Sequence, residues 1–577
     1  MKPTQIRVEN FLSYEDSGKV DLDNKTILVG ENNAGKSNFV DAVREFFRFS
    51  SRARQDLNKF YRRDGDKDIQ ITVWFDDLTD EERGEFSDGV GEPEDAEFAV
   101  RLVSKYNSKE DRAETNDYQR LIPDSDGGGS EWAKKTGLAN SLGDRLPEVS
   151  HYGAERELDD AAKTSNKSSL LYKLLGSVYD DIPDTDIEEF ENDRDRLKEK
   201  LESDTPEPID DLMENLSTMM SRQVSINGDL DVEFEIPTVK ELIQRNATIL
   251  TGESREDTIE DMGSGSQMSF ILSCIWETAN RETDDVFLTL EEPENYLHPH
   301  SVRELHATVD ELAGDGDFVI LTTHSPELAG PRDLNSIRRV ERSNGSSNIR
   351  QPGNELQEKD VEVLETIESA ETREMFFSRS LIVCEGPSDR DVLQIANDLL
   401  VKGDQGMRAF DAEGVSVVHA QGKQNVPKYL RVAKQFGLPT VAVLDTDEAY
   451  DDGSRASEVE WEIIRECRNL SDWFVMLEGD LERALFEGIT VEGFQGAMQH
   501  LSEMEIIEDY DASVDDLETM KEENPEMDEM ADVFMYHFNR YRPSKPALGR
   551  DLARRCEVES FPEEIQQIVD KSVELAE

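Results

Sequence analysis

The stretch Gly30-Glu31-Asn32-Asn33-Ala34-Gly35-Lys36-Ser37 constrains this chain more than any other. It reads G-x-x-x-x-G-K-S. An apolar run, Thr26 to Val29, precedes it, and a helix-compatible stretch, Asn38 to Val43, follows. Strand, loop and helix therefore stand in the order a P-loop needs. The glycines let the backbone curl so that its N–H groups face phosphate oxygens, and the helix turns its N-terminus on the same anion. Lys36 is placed to reach the terminal phosphates of ATP and Ser37 to hold Mg²⁺. Gly30, Asn33, Gly35, Lys36, Ser37 and Asn38 are the candidate nucleotide contacts.

Around the loop the patterning alternates between strand and helix. Gln5 to Phe11 reads as a strand, Asp21 to Val29 as a second, and a helix is expected to about Phe47. Ile69 to Phe75 and Ala96 to Val103 alternate like antiparallel strands, whereas 107–144 is polar and Gly-rich and reads as loops. Leu170 to Leu201 and Ile209 to Met220 have helical spacing with charged faces, either a helical hairpin on its own domain or an insertion that pairs with another subunit. Val232 to Ile236 resumes strand character. Next come a Gly-Ser-rich helix start at 263–267, an apolar strand ending in Glu291-Glu292, and a strand ending at His324.

A second site follows. Ser380 to Cys384 is a strand ending at Glu385, Val415 to His419 is another, and Thr440 to Leu444 ends at Asp445-Thr446-Asp447. Helices are expected between them. Acids at the C-terminal ends of such strands are where a parallel α/β sheet builds a site. Glu385, Asp445 and Asp447 would repel one another unless cations neutralise them. Hard oxygen donors suit Mg²⁺ or Mn²⁺, and two such ions could activate water and stabilise the leaving oxygen in phosphodiester cleavage. Solvated loop acids are the plainer alternative on a chain this acidic.

Lys and Arg number 63 against 129 Asp and Glu, a net charge of −66. The acids run through the whole chain. That is the composition of a salt-adapted surface, or of a disordered acidic protein, against which the clear apolar strands argue. DNA would need a local basic island. Three stand out: 51–63 with Arg52, Arg54, Lys59, Arg62 and Arg63; Lys423, Lys428, Arg431 and Lys434; and Arg540, Arg542, Arg550, Arg554 and Arg555. Cys274, Cys384, Cys467 and Cys556 form no C-x-x-C pair, which speaks against zinc or a disulfide framework. No stretch approaches the roughly 20 apolar residues of a membrane span, and the N-terminus has no apolar signal segment. A cytoplasmic protein with no membrane partner is expected.

The order P-loop, Gly-Ser-rich helix start, Glu-Glu strand and strand-His resembles the ABC-type ATPase head of the SMC and RecF class. The resemblance implies that Ser264, Gly265 and Gln267 are a signature contacting the γ-phosphate held by an opposing subunit, with Ser266 where a second glycine is usual. It makes Glu291 the Walker B acid near Mg²⁺, Glu292 the residue that orients or deprotonates the attacking water, and His324 a switch histidine. Residues 294–299 resemble a D-loop, and no Q-loop glutamine is assigned. A signature acting in trans implies a homodimer or higher homo-oligomer. Glu385-Gly386 with Asp389, then Asp445-x-Asp447, resembles the Toprim domain, with Asp389 a further metal ligand. An ABC-type head followed by Toprim resembles the OLD (overcoming lysogenization defect) nucleases. That family implies an additional metal ligand at Glu482 and a charge-stabilising lysine at Lys545.

The expected fold is thus α/β: an ABC-type P-loop ATPase domain with a helical insertion, followed by a Toprim α/β domain with a parallel-sheet core. The expected parts are 1–165 and 231–375 for the two ATPase halves, 166–230 for the insertion and possible dimerisation element, and 378–577 for Toprim. The resemblance implies a metal-dependent DNA endonuclease regulated by ATP, defence against phage or mobile DNA, and room for a helicase partner. Two alternatives are a non-cutting RecF-like clamp and a topoisomerase or primase. The last lacks room for a DNA-gate domain and lacks a zinc module.

Overall fold

The computed structural model describes residues 1–49, 55–86, 96–107, 109, 112–114, 116–123, 130–146, 149–153, 170–203, 207–223, 236–246, 250–251, 257–258, 263–281, 287–295, 297–315, 317–353, 358–366, 369–403, 408–445, 458–477, 481–524, 527, 529–557 and 561–577. The chain forms two compact units, Met1–Leu146 with Thr322–Glu577, and Pro147–Leu321.

The first unit begins with β1 (Lys2–Phe11), β2 (Lys25–Val29), α1 (Lys36–Phe47), β3 (Ile69–Asp76), β4 (Phe98–Ser104), β5 (Asp117–Pro123) and β6 (Ser130–Lys134). An antiparallel sheet runs β6-β5-β4-β3-β1. In β1, Ile6 and Val8 are buried while Arg7 turns out to Asp16, 2.6 Å away, the alternation expected of a sheet with one wet face. On α1, Phe39, Val40, Val43, Phe46 and Phe47 make the buried stripe.

Two expectations fail here. The single strand expected over Asp21 to Val29 is broken into Val20–Asp21 and β2. Between them Thr26 Oγ1 donates to Asp23 O, and Arg338 donates to Asp21 O and to Asp23 Oδ2. These bonds replace ladder bonds and turn the chain. The loops expected over 107–144 in fact hold β5, β6 and a helix at Leu138–Gly143. Tyr118 and Leu121 are buried, and Tyr118 donates to Phe46 O at 2.8 Å. Composition misled because the other face stays polar.

In the second unit are β7 (Val149–Tyr152), α2 (Leu170–Asp180), α3 (Asp184–Ser203), α4 (Glu207–Gln223), α5 (Ser264–Arg281), β8 (Phe287–Glu291), α6 (Pro299–Asp315) and most of β9 (Phe318–Thr322). β7 lies parallel to β8, pairing Val149 with Phe287 and Tyr152 with Leu290. Residues 232–235 of the expected strand lie outside the described residues.

The first unit resumes with β10 (Ile337–Ser343) and β11 (Ser346–Arg350), then β12 (Ser380–Cys384), α7 (Pro387–Lys402), β13 (Val415–His419), α8 (Val426–Gln435), β14 (Thr440–Asp445), β15 (Trp473–Leu477), α9 (Leu481–Gly488), α10 (Lys545–Arg555) and α11 (Glu563–Ala576). β10 is parallel to β2, with Arg339 opposite Val29. The strands β13-β12-β14-β15 form an all-parallel sheet. β12 is wholly buried, which is why it reads as a continuous apolar run. β15 was not foreseen. Helix α10 packs against α7 at Gly549, where a Cβ would come 2.9 Å from Ser388 Oγ.

Candidate functional site

The phosphate loop is shaped by positive φ at Gly30 (139°), Asn33 (64°) and Gly35 (119°). A side chain at Gly30 would collide with Val340 O, and one at Gly35 with the hydroxyls of Ser347 and Ser13. Both glycines are thus required by close approach as well as by φ. Tyr14 donates to Gly35 O at 3.0 Å, Ser347 Oγ contacts Ala34 O, and Asn38 Nδ2 donates to Ser13 Oγ at 2.7 Å. Lys36 is buried, its ammonium donating to Gly30 O (2.9 Å) and Glu31 O (3.0 Å) and lying 2.9 Å from His324 Nε2. Ser37 is exposed in the first turn of α1. The curled backbone, the lysine and an open helix N-terminus fit a nucleotide phosphate with Mg²⁺. The structure brings Lys36 and His324 together, a contact across 288 residues.

In the second unit, Ser264, Gly265 and Gln267 fall on the first turn of α5, with Gln267 buried. Glu291 ends β8, and Glu292 follows it with φ at 47°. Asn295 Nδ2 donates to Glu292 Oε2 at 2.8 Å. His151, to which the sequence assigned no role, stands on the neighbouring strand. Its Nε2 lies 3.5 Å from Glu291 Oε1, and its Nδ1 lies 2.9 Å from Thr289 Oγ1. The signal in sequence was only a histidine in a short apolar run.

In the Toprim region, Glu385 leaves the end of β12 and Asp445 ends the adjacent β14. Asp445 N donates to Glu385 Oε1 at 2.8 Å, so the Glu385 carboxylate reaches the backbone of Asp445 at the adjacent strand end. Asp389, in the first turn of α7, accepts from Gly386 N at Oδ2, 2.8 Å. Glu482 is buried on α9 and accepts from Ser388 Oγ, next to Asp389. Lys545 opens α10 and is exposed. Asp447 lies outside the described residues. Carboxylate oxygens at adjoining strand ends fit a hard divalent ion.

The basic islands are less available than they read. Arg431 holds the buried Asp360 at 2.6 Å and also pairs with Glu466. Lys59 pairs with Asp41 at 3.1 Å, and Arg62 donates to Asn344 O. Arg52 and Arg54 lie outside the described residues. Lys423 turns inward to Glu385. All four cysteines are buried thiols outside any disulfide, and burial pushes the Cys467 thiol up to about 12.

A family model described as AAA ATPase domain matches residues 1–122 and 153–329, and one described as Overcoming lysogenization defect protein-like, TOPRIM domain matches residues 376–447. The chain is 23% identical to the Old nuclease of Escherichia phage P2 over 464 residues, covering 77% of this chain and 76% of that one. It is 24% identical to the OLD nuclease of Thermus scotoductus over 468 residues, covering 77% and 81%. Among solved structures, the C-terminal region of the Xanthomonas campestris pv. campestris OLD protein matches at 18% identity, 35% of this chain, 96% of that one and TM-score 0.26. The SMC head domain from Thermotoga maritima matches at 12% identity, 61%, 100% and TM-score 0.32. With a P-loop built for phosphate in its first unit, the chain belongs to the AAA ATPase domain family, and its residues 376–447 match an OLD-like TOPRIM domain.

Proposed function

We propose that the chain is an ATP-hydrolysing, metal-dependent DNA endonuclease in which the Toprim domain cleaves phosphodiesters and the ATPase domain regulates it. The observation that carries this reading is the hydrogen bond from Asp445 N to Glu385 Oε1, which sets the two residues at adjacent parallel strand ends, in a chain whose P-loop lysine is folded onto its own loop. Lys36, Ser37 and the loop backbone bind the phosphates. By its place in the motif order Glu291 would serve the Mg²⁺ shell and Glu292 would orient water, while His324 would report the γ-phosphate through its contact with Lys36. Ser264, Gly265 and Gln267 complete that site on an opposing copy. Glu385, Asp389, Asp445, Asp447 and Glu482 are the residues that would hold Mg²⁺ or Mn²⁺, and Lys545 steadies the phosphate charge. Two bound ions would supply an activated water and neutralise the leaving oxygen.

The parts proposed are an ATPase domain in two halves, 1–165 and 231–375, an insertion at 166–230 that joins two copies, and a Toprim domain at 378–577. The setting proposed is the cytoplasm of a salt-adapted cell, in defence against phage or mobile DNA, with a helicase as a partner. Among the described residues no helix is long and apolar enough to cross a membrane.

Plasmid cleavage with Mn²⁺ or Mg²⁺ in high salt, with and without ATP, tests the reading. Glu385→Ala and Asp445→Ala should each abolish cutting while ATP hydrolysis continues. Lys36→Ala should abolish hydrolysis and the response of cutting to ATP. A wild type that hydrolyses ATP yet cuts no form of DNA would replace this reading with a non-cutting clamp.

A further inference from the structure

We propose that Lys423 is a built-in counter-cation of the Toprim site, holding the place of metal charge against Glu385 and giving way when a divalent ion enters. The inference rests on the reading of Glu385 and Asp445 as metal ligands.

Lys423 is placed by an unusual piece of backbone. Gln421 and Gly422 both have positive φ, 53° and 127°. Gly422 N donates to Glu385 O at 2.9 Å, which pins this turn to the end of β12. Asn425 Nδ2 then donates to Ala420 O at 3.0 Å and closes it. A Cβ at Gly422 would meet nothing within 4 Å, so this glycine answers to its φ alone. The result points the next side chain back over the strand ends.

The Lys423 ammonium donates to Asp445 O at 2.7 Å and stands 3.6 Å from Glu385 Oε1. The lysine side chain is 12% exposed and that of Glu385 16%. Lysine is among the residues least often buried unless it is paired. Here it is paired with the carboxylate that the metal needs, and it touches the backbone of the second one. Those acids belong to a chain with a net charge of −66. Positive charge beside them eases their mutual repulsion and desolvation. Lys423 supplies one positive charge where a divalent ion would supply two.

The same geometry makes the two cations compete. A divalent ion held by the Glu385 carboxylate would bring its charge close to Nζ, which stands 3.6 Å from Oε1. At that range, behind a partly buried surface, like charges repel strongly. The four-carbon stem lets the ammonium swing away while Gly422 stays bound to Glu385 O. The bland role of a lysine merely bracing the turn predicts no such competition.

The test uses the full chain without nucleotide, titrated with Mn²⁺ alone in a calorimeter. Lys423→Met should bind Mn²⁺ about tenfold or more tightly than wild type, the size expected when one nearby unit charge is removed. Melting in EDTA should show Lys423→Met less stable than wild type, with the deficit closing as Mn²⁺ is added. Unchanged or weaker binding would overturn the inference. If Lys423→Met does not fold, the wild type still decides. Reductive methylation read by mass spectrometry should label Lys423 several-fold faster with Mn²⁺ than in EDTA, with Lys428, bonded to Asn425 Oδ1 at 2.9 Å, as the internal reference. Equal labelling would overturn it. Glu385→Gln separates the two claims. If that variant binds Mn²⁺ as wild type does, the metal-ligand reading itself fails. If it loses Mn²⁺ while Lys423→Met gains nothing, only the Lys423 inference fails.

Discussion

Arg379 grips Glu31, joining the second residue of the phosphate loop to the residue that precedes Toprim strand β12. The pair holds Glu31 below the usual carboxylate range, chiefly through the guanidinium hydrogen bond. β12 carries Glu385 at its other end, so the loop and the candidate metal site lie at the two ends of one short, buried strand. A second tie runs from Arg373 to Glu327 at 3.0 Å, three residues beyond His324. Both side chains of the first pair are about half exposed, so its worth in stability is about 1 kcal/mol or less. Its value lies in position.

Arg379→Ala or Glu31→Gln should therefore leave the melting temperature almost unchanged and ATP hydrolysis intact. The response of DNA cleavage to ATP should fall sharply. Cleavage assayed with and without ATP checks this, and a variant that responds as wild type does removes the pair from the coupling. Because the Glu31 carboxyl is depressed, the pair is whole above the ordinary carboxylate range. It is lost as pH falls through the lowered value.

Arg339 is the buried counterpart. It donates to Ser378 O at 2.9 Å and Phe436 O at 3.2 Å, and pairs with Glu341 at 2.9 Å. Burial pushes its guanidinium pKa down. Arg339→Ala strips two Toprim-side carbonyls of their donor and should cost about 2–4 kcal/mol, read by urea or thermal melting. Glu341 keeps Arg350 at 2.9 Å, which limits the loss. A cost near zero would mean that water replaces the guanidinium.

His419 and His537 are both harder to protonate than a free imidazole. Burial comes first in lowering each from 6.5, and then Arg390 and Arg540 respectively. Neither Nδ1 has a hydrogen-bond partner. The unfolded chain takes up protons as pH falls through about 6.5 while the folded chain resists, so folded stability should decline from pH 7 towards pH 5. His419→Gln should flatten that slope in a melting series. Stability rising over the same interval would contradict the assignment.

Helix α4 carries Leu212, Leu216 and Met219, exposed by 53%, 40% and 63%, at spacings that share a face. Such a stripe is a candidate for contact between two copies. Leu216→Asp should convert a homodimer to monomer in sedimentation without lowering the melting temperature of the monomer. A wild type that sediments as a monomer would exclude the stripe as a stable dimer contact.

The charge of −66 predicts that melting temperature rises with KCl towards molar concentrations, as screening removes self-repulsion. A flat or falling curve would remove salt adaptation from the account.

Much of the fold was legible because its signals are local. The P-loop is eight consecutive residues whose spacing carries its chemistry. The buried strands β12, β13 and β14 read as apolar runs, each ending near an acid or a turn. The region 107–144 was not legible, because a half-solvated strand such as β5 looks like a polar loop until its sheet partner is known. The break at Asp23 was hidden as well, since Arg338, which holds it, is some 300 residues away.

The sequence by itself determined which chemistry the chain can hold: a phosphate cradle at Gly30 to Ser37, acids at the strand ends Glu385 and Asp445, and an ATPase segment followed by an OLD-like TOPRIM segment. Only the tertiary structure decided which charges meet. Lys423 reads as one of several surface lysines and proves to face Glu385, while Arg431 reads the same way and is spent on Asp360. His151 reaches Glu291 and Arg379 reaches Glu31. These pairings depend on distances of a few ångströms between residues that lie tens to hundreds of positions apart. Periodicity and spacing describe the chain along its length, whereas electrostatic partnership is fixed by packing across it.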